Sequence, residues 1–144
     1  MSKREQILQA FYNALKALET SSLKVYRNLD KPQKIERDGI IIIRDGDAGE
    51  PEVLLSPLTY IYEHYILLEV MVQNSDASIR DSALDNLLVN IGNIINGNPT
   101  LGGLAEWLEA KAPETTIEPI EGSSTIRTAN VQVMARYYTN NPLN

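Results

Sequence analysis

Apolar residues recur at Ile7, Leu8, Phe11, Ala14, Leu15 and Leu18, behind a Ser2-x-x-Glu5 pair that has capping-box spacing. The pattern predicts an amphipathic helix over residues 3–19, with Gln6, Gln9, Asn13, Lys16 and Glu19 facing water. Leu23, Val25 and Tyr26 suggest a short strand. The polar stretch 28–38 contains Pro32 and is excluded as a central strand. Ile40, Ile41, Ile42 and Ile43 follow, four β-branched residues in a row, which read as a strand inside the sheet with both faces at least partly covered. Over 59–73 the period becomes two. Tyr60, Tyr62, His64, Ile66, Leu68, Val70 and Val72 share one face, and Ile61, Glu63, Tyr65, Leu67, Glu69, Met71 and Gln73 share the other.

Ser78 with Asp81 offers a second capping signature. Ile79, Ala83, Leu84, Leu87, Leu88, Ile91, Ile94 and Ile95 then predict a main helix over 77–96, closed by Gly97, Asn98 and Pro99, with Gly92 marking close packing. Leu101, Leu104 and Leu108 suggest a short third helix, in which Gly102 and Gly103 allow a close approach or a bend. A strand near 115–117, a turn at 121–124 and a long alternating strand over 126–139 complete the chain, and the polar tail 140–144 is expected to fray. The order implies one α+β domain: a mixed, largely antiparallel sheet with the N-terminal and main helices on one face. Strands of about 13 residues reach ~40 Å, against a radius of gyration of ~15 Å for a domain of this size. Such strands overhang. Their uncovered parts call either for another copy of the chain or for a cover made by residues 44–57 or the tail.

Residues 44–57 bring in turn and acidic residues and read as a mobile loop. Asp45, Asp47 and Glu50 approximate calcium-loop spacing, but the closing glutamate is missing, so a solvated loop is the reading. Zero cysteines remove thiol nucleophiles, thiolate metal sites and disulfides. The single histidine, His64, sits mid-strand on the core face, where a satisfied structural role is expected. There is no phosphate loop, no complete dinucleotide fingerprint and no G-x-S-x-G elbow. No catalytic residue, cofactor or metal is therefore predicted. A net charge of −6 opposes general adhesion to nucleic acid, and no stretch has the length and apolarity of a membrane span or signal core.

The run Thr100, Leu101, Gly102, Gly103, Leu104, directly after the main helix, resembles the "TLGGL" signature of phage tail terminator (minor tail protein U-like) proteins. The element order also fits, down to a closing strand of the type Val131-Gln132-Val133-Met134-Ala135-Arg136-Tyr137. The resemblance implies a structural virion protein and not an enzyme. It would form a hexameric ring with itself, contact the tail tube protein and the head connector protein, and let DNA pass without specific binding. Such a protein is assembled in the host bacterial cytoplasm and ends in the virion tail. On this reading Leu67, Glu69 and Met71 are candidate subunit contacts, and Asp45, Asp47, Glu50 and Glu52 form a candidate ring-face loop. The rival readings are a neck or tail-completion protein and, from another class, a small hydrolase or ligand-binding module with a pocket between the main helix and the sheet.

Overall fold

The computed structural model describes residues 1–30 and 34–144, so Pro32 of the polar stretch lies outside the described residues. Helix α1, Lys3–Lys16, starts where Ser2 Oγ accepts the Glu5 N–H at 3.1 Å. Half of the capping box forms. The Glu5 carboxylate turns away to Arg27 instead of back to the cap, because a guanidinium offers it a charged partner. The helix stops at Lys16, short of residue 19, with the Leu18 and Glu19 N–H groups bonded three residues back.

Among the described residues seven strands form one sheet: β1 (Leu23–Arg27), β2 (Gly39–Arg44), β3 (Glu52–Leu55), β4 (Leu58–Gln73), β5 (Trp107–Ala110), β6 (Glu114–Glu118) and β7 (Ile126–Thr139). The order is β1-β2-β4-β7-β5, with β3 beside β4 and β6 beside β7. Among the described residues only β1 and β2 pair in parallel. The fold is thus the α+β arrangement that the periodicities imply. Helix α2, Ala77–Gly97, lies between β4 and β5 in the chain. Its cap is Asp76, which accepts the Ser78 and Ile79 N–H groups, and not the expected Ser78. A carboxylate two residues upstream suits the helix dipole better than a hydroxyl.

The core joins Ile7, Leu8, Phe11 and Leu15 of α1 to Leu84, Leu87, Ile91 and Ile95 of α2, over Ile41, Ile43, Ile66, Leu68, Val70 and Val131 of the sheet. Each such side chain contributes about 1.5–3 kcal/mol on full burial. Gly39 sits where a Cβ would lie 2.8 Å from Leu87 Cδ1 and 2.9 Å from the Met71 carbonyl, at φ +114°, so this approach of α2 to the sheet requires glycine. Gly92 is different. A Cβ there meets nothing within 4 Å, so the expected close packing is absent.

Two further expectations fail locally. The segment 98–106 is not a helix. Leu101, Gly102 and Gly103 all have positive φ (51°, 71° and 91°), which no α-helix tolerates, and β5 follows directly. The segment 44–57, read as loop throughout, contains β3, which folds back on β4 through a turn at Ser56 and Pro57.

Candidate assembly surface

The helices cover one face of the sheet, and the other has no helix against it among the described residues. On that far face the β4 residues Leu67, Glu69 and Met71 are half-buried, and Ile40 and Ile42 of β2 lie beside them, almost fully buried. The expectation that β2 is at least partly covered on both faces holds. Sequence reasoning grouped Leu67, Glu69 and Met71 as one contact, and the fold divides them. Leu67 borders a polar recess with Lys111, Glu114, Asn130 and Gln132. Glu69 and Met71 line a cavity of about 420 Å³ that is largely apolar, with Ile40, Ile42, Ile120 and Ile126, and also holds the charged Asp30, Arg44 and Glu118. Arg44 holds the Glu69 carboxylate at 2.5 Å across the strands.

The acidic residues of 44–57 also separate. Asp45 is engaged inward: Arg27 Nε and Nη2 donate to its two oxygens at 2.8 and 2.9 Å, while Arg27 Nη1 and Nη2 grip Glu5 at 2.8 and 2.9 Å. One guanidinium therefore ties α1, β1 and the start of the loop together. Its hydrogen bonds hold both carboxyls below the ordinary carboxylate range. Asp47, Glu50 and Glu52 are exposed. Gly46 lets the loop touch β4, since a Cβ there would lie 2.3 Å from the Tyr65 carbonyl.

His64 is 1% exposed and donates from Nε2 to the Asp45 carbonyl at 2.5 Å. Burial, the largest influence, pushes its pKa down and keeps the ring neutral. It is a satisfied core histidine that fastens the loop. Among the described residues no group of three or more His, Asp or Glu gathers as a metal site would require.

The sheet borders differ in how their backbone is treated. At β1 the Val25 N–H donates to Glu19 Oε2 at 3.0 Å, and the Val25 carbonyl accepts from Lys16 Nζ at 3.2 Å, so side chains occupy the edge. At the opposite border every residue of β6 is exposed. The β3–β4 hairpin projects at a third place. Every residue of 52–58 is exposed, including Val53, Leu54, Leu55 (80%) and Leu58. Sequence reasoning missed this knob because the glycines and acids around it read as loop. The run Val53-Leu54-Leu55-Ser56-Pro57-Leu58 did carry a signal, two short apolar segments joined by a turn dipeptide.

The Thr100–Leu104 motif forms a knot of turns between α2 and β5. Asn98 Oδ1 accepts from Gly102 N, the Thr100 carbonyl accepts from Gly103 and Ala105, and the Pro99 carbonyl accepts from Leu108. Leu101 and Ala105 are buried and anchor it. The glycines supply left-handed backbone and not close approach, since a Cβ at either meets nothing within 4 Å. β5 then presents Trp107 to solvent with the Arg136 guanidinium 5.2 Å from its ring. Among the described residues no helix is long and apolar enough to cross a membrane.

A mixed seven-stranded sheet layered by helices on one face, with projecting strand ends, defines an α+β class that can act through its borders. Compared with solved structures, the fold is similar to that of a chain in the virion of a native gene transfer agent particle. That match has a TM-score of 0.53 at 12% identity and covers 91% of this chain and 93% of the other. No protein-family model matches the sequence, and no curated protein matches it.

Proposed function

We propose that this chain is a structural virion protein that works by binding, as a ring that caps the tube of a phage-like tail and offers a surface for the head connector. The observation that carries the reading is the end-to-end likeness of its fold to a chain of a gene transfer agent virion. The "TLGGL" run Thr100–Leu104, at the turn between α2 and β5, supports the narrower terminator role. The candidate ring contacts are Glu69 and Met71 at the far-face cavity and Leu67 at the recess beside it. Asp47, Glu50 and Glu52 face a neighbour or the lumen, and Asp45 orients their loop through Arg27.

A net charge of −6 suits a channel through which DNA slides, because carboxylates repel phosphates. A lumen found to be strongly basic would remove that idea. The reading requires no chemistry from His64, whose Nε2 is engaged by the Asp45 carbonyl. The test is to add the purified chain to polymerising tail tube protein. A terminator stops growth and appears at tube ends in micrographs. Tubes of unrestricted length, with the chain bound to head portals instead, would make it a neck protein.

A further inference from the structure

The exposed hairpin tip and the far-face cavity are two halves that one molecule cannot join. Val53, Leu54, Leu55 and Leu58 are 45%, 47%, 80% and 46% exposed, together roughly 400 Å² of apolar surface, the size at which a patch on a monomer is often functional. The cavity of about 420 Å³ is lined mainly by isoleucine side chains and Met71, with the charged Asp30, Arg44, Glu69 and Glu118 among them. It has room for two or three aliphatic side chains. Leu58 begins β4 and Met71 lies near its end, so knob and hole are separated by roughly 43 Å at ~3.3 Å per residue. Reaching its own cavity would require the hairpin to break the pairing of Glu52–Leu55 with Leu58–Ile61.

We propose that the hairpin tip of one copy, led by Leu54 and Leu55, inserts into the Ile40–Ile42–Met71 cavity of a second copy. This rests on the ring reading above and names the contact that would build the ring. The occupant is another copy because each chain carries both halves at opposite ends of one strand, which makes the contact heterologous, and such contacts close into rings when the rotation allows. The area agrees. The hairpin's roughly 400 Å² is about half of the ~800 Å² that each partner of a stable pair buries, so two free chains hold each other weakly. In a ring every chain is both donor and acceptor, and its total contact doubles.

The chain has no cysteine, so introduced thiols report on this contact alone. Protein carrying both Leu55→Cys and Met71→Cys, oxidised mildly at high concentration, is expected to give a ladder of covalent multimers on non-reducing gels. Each single variant should give dimers at most. Adding Leu54→Asp to the double-cysteine protein should cut the ladder about tenfold or more, since a charge is forced against a largely apolar wall. Circular dichroism melts confirm that each variant folds. A double-cysteine protein that stays monomeric overturns the proposal. If rings still appear at tube ends in that case, the capping function survives with a different contact. A ladder from a protein that fails to cap tubes would keep the contact and discard the function.

Discussion

The two ends of β4 both carry apolar residues and meet opposite fates. From Ile66 to Val72 the strand is flanked by β2 and β7, and Ile66, Leu68, Val70 and Val72 are at most 2% exposed beneath the helices. From Leu58 to Tyr60 it pairs with β3, and Leu58 remains 46% exposed. Apolarity alone does not decide burial. The helix layer does, and beside Leu58 that layer is reduced to the first turn of α1, with Lys3 and Gln6 across an open pocket.

The largest effect should come from removing that layer. Phe11→Ala deletes a fully buried ring of α1 and is expected to cost about 3–5 kcal/mol in urea unfolding, through lost transfer energy and the cavity left behind. If it cost less than a surface substitution, the distinction between the two ends would collapse. Next comes Arg27→Met, which leaves Glu5 and Asp45 without their shared partner and should cost about 1–3 kcal/mol. It should also flatten the acid limb. Both carboxyls are depressed in the folded chain, so the unfolded chain binds more protons in the carboxylate range, and the stability they contribute above that range is lost as pH falls through it. Unfolding measured from pH 7 to pH 3 separates this variant from the parent.

His64 acts at higher pH. Its depressed pKa means that the unfolded chain takes up the proton first, so stability falls as pH drops below the ordinary histidine range near 6.5, and His64→Gln should remove that slope. Gly92→Ala should raise stability by about 0.5–1 kcal/mol, because the added methyl meets nothing and the helix gains propensity. That gain strengthens the covering layer and should leave the hairpin unaltered. The smallest effect is expected from Leu55→Asp, within about 0.5 kcal/mol of the parent in thermal melts of the monomer. A large loss there would mean that the hairpin belongs to the core after all.

These contrasts also explain what could be read from residues alone. The period-two pattern located β4 to within a residue of its start and β7 at both ends, because one face of each is buried along nearly its whole length. The isoleucine run of β2 was legible for the same reason. β3 and β5 were not, since four-residue strands without a buried alternation leave no period to detect, and Leu101, Leu104 and Leu108 imitate helical spacing. Only backbone angles reveal that Leu101, Gly102 and Gly103 turn the chain the other way. The candidate contacts on β4 could be placed on a face from sequence, but their separation into a polar recess and a largely apolar cavity depends on residues about 50 positions away, such as Ile120 and Ile126. Arg27 was missed because nothing local foretells that it meets both Glu5 and Asp45.

With the amide and carbonyl of Val25 already occupied by Glu19 and Lys16, one flank of the sheet cannot serve as a template for an arriving strand. Edge-to-edge stacking of sheets through that flank is therefore denied to this chain, and copies have to meet through its other surfaces.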